Sequence, residues 1–452
     1  RITPYLYEPK QQAVRPFLFG LYVFIISSRI NFASAVNNFD CDFAILSRFD
    51  YTDFAMLFIW GEHRRMKYNF DELIDRSNTH SLKYEACRKI NPFLPEGSIP
   101  LWVADMDFAC APQILAAMQR RLENRILGYS VLGEDTQAAV SRWMDRRFGW
   151  TVAPEEIVFA SGVVTALYAA VEHLTKPGDA VLTMTPAYRP FDTAMKNYSR
   201  TPLYNRMIEG ADGRYSIDFA DFEEKAKRPD CTMFFLCNPQ NPTGRVFTKE
   251  ELLRIGEICF ANNVFVVSDE IHADLTRAGQ KHIPFAKLFP GEKRIITCTS
   301  PSKTFNIAGN NHAHLMIPDE KIRREWSSRS YCGHPTALGI DAAIAAYDEA
   351  EDWLEELKAY LDENFRKMDE LLAAKLPKAV FRIPEGTYLA WVDLTAYGLT
   401  EQQLKEQISR AGVFVQFGED FVDNGTCHMR VNAACPWSVL KEGLERVFTA
   451  LN

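Results

Sequence analysis

The sequence predicts an α/β protein, with a mostly parallel central sheet covered by helices and a second, smaller α+β domain. Three observations predict it. From Met66 onward, stretches with helical periodicity alternate with short apolar runs. The strands "VFVVSDEIH" and "RIITCTSPS" carry continuous apolar runs, as strands buried on both faces of a parallel sheet do. Near Ala342 the texture changes to a long charged helical stretch without Gly or Pro. The boundaries expected are 109–341 for the large domain, and 66–108 with 342–452 for the small one.

Taken along the chain, "QILAAMQRRLE" and "TQAAVSRWMDRRFGW" are amphipathic helices, the second ended by Gly149. "EEIVFASG" is a strand running into a glycine, and "VVTALYAAVEHL" is the helix that follows. "AVLTMTPAY" and "CTMFFLCNP" are strands, and "KEELLRIGEICFANN" is a helix. "VFVVSDEIH" and "RIITCTSPS" complete the apolar strands. After the charged stretch come the strand "TYLAWVDL", the helix "TEQQLKEQISRAG" and the strands "VFVQFGEDF" and "CHMRVNAA".

Composition narrows the function classes. The chain has 452 residues, 47% of them hydrophobic and 24% charged, which is the balance of a globular protein. A net charge of −8 without a basic stripe argues against a nucleic-acid partner. Ten scattered cysteines without a C-x-x-C pair favour reduced thiols and a cytoplasmic setting over disulfides or zinc. Residues 1–65 read as foreign to the fold. Their apolar run "RPFLFGLYVFIISS" is too short to span a bilayer comfortably, and a membrane-surface anchor is the second reading.

In an open α/β sheet, ligand groups converge at strand ends. Asp269 ends "VFVVSD", and alone it reads equally as a helix cap. "CNPQNPTG", with Asn241, is alone a turn cluster. Gly162 in "FASGVV" turns a strand into a helix, leaving the amides of Val163 and Val164 as an anion site. Tyr188 in "TPAYRPF" is an aromatic after a strand. Lys303 in "TSPSKTFN" stands among the hydroxyls Ser300 and Ser302. Alone it is a surface lysine on a turn.

In chain order, Gly162, Tyr188, Asn241, Asp269 and Lys303 resemble the pyridoxal-phosphate signature of the fold-type I enzymes, the aspartate aminotransferase superfamily. "PLWVADMDF", "GYSVLGE", "SDEIHADL" and "SPSKTFNIAG" are most similar to the MalY/PatB group of cystathionine β-lyases, or C–S lyases. The resemblance runs from Met66 to the C-terminus. It implies the fold-type I architecture and pyridoxal 5′-phosphate as cofactor. Lys303 then bonds the cofactor's aldehyde and serves as base for the substrate α-proton. Asp269 pairs with the pyridine nitrogen, Asn241 donates to the ring hydroxyl oxygen, and Tyr188 stacks on the ring. The Val163 and Val164 amides, with Ser300 and Ser302, cradle the phosphate. His272 contacts the ring hydroxyl or caps a helix, and both readings stand.

The resemblance alone implies two more residues. Arg430 in "HMRVNAA" grips the substrate carboxylate, and Tyr129 in "LGYSVLG" reaches the phosphate of a neighbouring subunit, so that active sites are shared in a homodimer. Asn311 departs from the pattern, because aminotransferases of this fold often carry a phosphate-binding arginine there. His312 and His314 in "NNHAH" are expected to be structural rather than metal ligands. The leading function is C–S β-lysis of L-cystathionine or another S-substituted cysteine to a thiol, pyruvate and ammonia. An aminotransferase is the alternative, and a regulatory protein binding a transcription factor is the alternative of another class.

Overall fold

The computed structural model describes residues 66–328 and 332–452. The expectation for residues 1–65 lies outside the described residues.

Seven strands form the central sheet: β1 (Ile157–Ala160), β2 (Ala180–Thr185), β3 (Thr201–Arg206), β4 (Cys231–Cys237), β5 (Phe265–Asp269), β6 (Ile295–Thr299) and β7 (Ala313–Met316). Their order is β1-β7-β6-β5-β4-β2-β3. The pairs from β6 to β3 are parallel, and β7 runs antiparallel to both of its neighbours. Every residue of β2 and β6 is buried, so both faces of each strand are covered.

Register sets the site. Asp269 pairs across to Cys298 on β6 and to Cys237 on β4, so three strands end level with one another. The turn that carries Asn241 and the short helix that carries Lys303 therefore leave the sheet at the same edge as Asp269. β5 ends there and is followed by turns rather than a helix, while β1 runs through Gly162 into the helix Val163–Leu174.

The helices start and stop where local chemistry says they should. Thr248 and Glu251 form a capping box at the start of Lys249–Ala261, and Thr400 with Gln403 does the same for Glu401–Arg410. Gly149, at φ 58°, takes the left-handed turn that closes Glu134–Phe148.

One expectation is corrected. The charged stretch is two helices, Ala337–Glu349 and Glu351–Lys375, divided at buried Ala350 (φ −112°, ψ 16°). The first packs its Ala-rich face into the core shared with Pro112–Glu123 and Glu134–Phe148. The second buries Trp353 and Leu357 in that core, then Phe365, Met368 and Leu372 in another. A change of direction between them lets one chain segment serve both cores.

That other core lies against a four-stranded antiparallel sheet, β8 (Val380–Phe381), β9 (Leu389–Asp393), β10 (Gln416–Phe417) and β11 (His428–Asn432), in the order β8-β9-β11-β10. Ile99 and Leu101 join it from the N-terminal side. Among the described residues, no helix is long and apolar enough to cross a membrane.

Candidate active site

Lys303 lies in the short helix Pro301–Thr304 directly after β6. Its ammonium donates to the carbonyl oxygen of Ala104 at 2.6 Å. Burial, with the Arg430 charge adding to it, lowers its pKa from an ordinary 10.5 to about 8, while Asp105 and Asp269 oppose the fall. The side chain still keeps a partly open surface. It is desolvated yet reachable, as a nucleophilic amine must be.

Asp269 is buried, and one of its oxygens accepts the amide of Ile271 at 3.1 Å. Burial, with the neighbouring Glu270 charge, raises its pKa to about 7, opposed by the Ile271 amide and Lys303. Among the described residues no cation lies within ion-pairing distance of it. His272 is buried, its Nδ1 has no partner, and burial with the charges of Lys303 and Arg430 holds its pKa down at about 3. The ring is therefore neutral.

Arg430, on β11, reaches into the same space. Nη1 donates to Asn241 Oδ1 at 2.9 Å, and Nη2 donates to the Trp102 carbonyl at 2.8 Å and to Gln416. Its Nε is buried without a partner among the described residues. Burial lowers its pKa to about 10, so it stays charged at neutral pH. Tyr188 follows β2 and pairs with Phe421, whose ring stands 5.0 Å beneath the Arg430 guanidinium.

At the other end of the site, among the described residues no side chain caps the start of the helix Val163–Leu174, and the space where a Cβ on Gly162 would stand is open. Ser300 is committed elsewhere: its hydroxyl donates to the His312 carbonyl at 2.6 Å and accepts the Ser302 amide at 3.0 Å. Ser302 remains partly open. Asn311 is exposed and turns its amide to Gly309 in its own loop. His312 and His314 are buried with rings 4.8 Å apart, and among the described residues none of their four nitrogens has a hydrogen-bond partner. Tyr129 is fully exposed beside His334 and lines a cavity with Gly309 and Asn310.

This arrangement brings a lowered-pKa amine, an uncompensated buried carboxyl, an arginine with a free Nε and an uncapped helix start to one edge of a parallel sheet. The model for aminotransferases of class I and II matches residues 97–447. The chain belongs to that family. Within the aminotransferase class I and II family, the chain is 41% identical over 389 residues to cystathionine β-lyase PatB of Bacillus subtilis. That match covers 85% of this chain and 100% of the relative. The pyridoxal-phosphate-bound C–S lyase of Staphylococcus hominis superposes with a TM-score of 0.81 at 38% identity, over 86% of this chain and 99% of that one. Cystalysin of Treponema denticola, whose structure contains pyridoxal 5′-phosphate, superposes with a TM-score of 0.83 at 35% identity, over 85% and 99%.

Sequence reasoning missed several residues around the site. Arg76, Lys83, Asp105 and Asp107 form a charge network in which Lys83 and Asp107 are buried and Arg76 and Asp105 partly exposed, and Tyr388 lies buried against His272, their ring centres 6.1 Å apart. In the sequence each is one charge or one aromatic among many; only long-range packing joins them.

Proposed function

We propose that the protein is a pyridoxal-phosphate-dependent C–S β-lyase acting on L-cystathionine or related S-substituted cysteines. The observation that carries the reading is that Lys303 and Asp269 stand at the same edge of the sheet, a reachable amine of lowered pKa and a buried carboxyl, in a chain similar to C–S lyases along their whole length. The residues fit the cofactor. A buried carboxyl without a cation suits a protonated pyridine nitrogen, and an uncapped helix start in front of open space suits a phosphate.

When bound, pyridoxal phosphate supplies an aldehyde that captures amines and a ring that stores the electron pair left at the substrate Cα. The chain supplies the rest. Lys303 holds the cofactor and, once free, takes the α-proton on Nζ. Asp269 keeps its negative charge opposite the pyridinium proton. Asn241, its Oδ1 occupied by Arg430, donates from Nδ2, and Tyr188 covers the ring. Arg430 binds the substrate carboxylate through the unpartnered Nε. Loss of the proton from Cα and of the thiolate from Cβ, followed by hydrolysis with water, gives pyruvate, ammonia and a thiol.

A homodimer with shared sites belongs to the same proposal. Ile126, Leu127, Tyr129 and Val131 are exposed together, an apolar segment that a second copy would cover. We also place residues 1–65 outside the catalytic fold, since relatives matched over their full length account for about 85% of the chain. The large domain is taken as 109–341, and the small one as 66–108 with 342–452.

The test is incubation with L-cystathionine in the absence of any keto acid. A β-lyase releases pyruvate and thiol in equal amounts over many turnovers. Turnover only when a keto acid is supplied would make it an aminotransferase instead.

A further inference from the structure

We propose that Arg76 and Lys83 are positioning residues for the active site, clamping a strap of chain whose carbonyl groups hold Lys303 and Arg430 in place. The strap is Trp102–Met106. Each of its five consecutive carbonyl oxygens accepts from a side chain. Trp102 takes Arg430 Nη2 at 2.8 Å, Val103 takes Asn432 Nδ2 at 2.8 Å, and Ala104 takes Lys303 Nζ at 2.6 Å. Asp105 takes Lys83 Nζ and Asn432 Nδ2, both at 2.8 Å, and Met106 takes Arg76 Nη1 at 3.1 Å.

Two of those donors are the site's own cations, and two are the clamp. Lys83 has no exposed side-chain surface, and its ammonium stands 2.7 Å from Asp107. The other Asp107 oxygen takes Arg76 at 2.9 Å, and the same guanidinium reaches Asp105 at 2.7 Å. A fully buried lysine is costly unless its partners are well placed, so this network fixes one geometry for the strap rather than adding net stability. Neither clamp residue touches Lys303 or Arg430. They act through the chain between.

The proposal rests on the roles given to Lys303 and Arg430 in the lyase reading. Its first readout is therefore taken on cofactor-free protein, where the reaction plays no part. Arg76→Lys keeps the charge but replaces a fork that bridges two carboxylates with a single ammonium. With the strap loosened, the Ala104 carbonyl and Asp105 carboxylate support the Lys303 ammonium less. The pH midpoint for acylation of Lys303, followed by peptide mass spectrometry, should then fall by about half a unit to one unit. In the holoprotein, Arg76→Lys and Lys83→Met should raise KM for L-cystathionine by roughly tenfold, because Arg430 loses alignment. Lys67→Met is the control: it breaks an exposed ion pair to Asp352 near the same end of the described chain and should change neither readout. If Arg76→Lys lowers the melting temperature but leaves the midpoint and KM at their wild-type values, the clamp is merely structural. Should Lys83→Met fail to fold, Arg76→Lys decides alone.

Discussion

Arg430 Nη1 donates to Asn241 Oδ1 at 2.9 Å, tying β11 of the second sheet to the turn after β4 of the first. The bond fixes which way the asparagine amide points, with oxygen toward the arginine and nitrogen toward the cleft. It also helps fix the guanidinium, whose Nε has no partner among the described residues and which the proposed lyase would use for the substrate carboxylate. Arg430→Lys loses both the planar fork and the tie. The expected outcome is a KM for L-cystathionine raised roughly ten- to a hundredfold with a smaller fall in kcat, read from steady-state pyruvate release. An unchanged KM would remove Arg430 from substrate binding.

Asp269→Asn should fold and still bind cofactor, but slow β-elimination by orders of magnitude, because the charge opposite the pyridinium is gone. Near-wild-type turnover would show that Asp269 has another role.

The same carboxyl gives a pH signature in the cofactor-free protein. Its pKa is about 7 in the folded chain and 3.8 as an ordinary aspartate, so between those values the native state holds the extra proton. Its contribution to stability is present at the acid end and is lost as pH rises through that window. Asp269→Asn has no such loss. The melting temperature of the variant minus that of the wild type should therefore grow from pH 4 to pH 7, and a flat difference would mean that the carboxyl is not raised. Taking the difference removes His272, whose depressed pKa pulls the other way.

Tyr129→Phe should weaken cofactor binding by roughly tenfold or more, with dimerisation unchanged, if the phenol donates to a phosphate across the interface. Mixing Lys303→Ala with Tyr129→Ala subunits should restore partial activity, since a hybrid dimer carries one intact site. Hybrids that form without activity would place the tyrosine in its own subunit's service.

A chain beginning at Met66 should bind cofactor and release thiol as the full chain does. Loss of activity or solubility on truncation would overturn the assignment of residues 1–65.

Much of this architecture was legible in the sequence, for physical reasons. β4, β5 and β6 carry apolar runs because both faces are covered, and β5 ends on a buried carboxylate that the sheet itself does not call for. The break at Ala350 was not legible, because alanine favours helix and only the need to face two cores redirects the chain. Nor was the duty of Ser300, whose hydroxyl is used on the His312 carbonyl through the register of a neighbouring strand. Lys83 is the sharpest case. A lysine in a polar stretch reads as surface, and only the approach of Asp107, 24 residues on, makes burial tolerable.

The central claim is that the site is built around the Lys303 amine. Borohydride reduction of the holoprotein, followed by peptide mass spectrometry, tests it most directly. The account predicts the reduced cofactor's mass on the peptide containing Lys303, with Lys303→Ala losing the label, the yellow absorbance and pyruvate release together. The same label on a different lysine, or a Lys303→Ala protein that still carries it, would contradict the account.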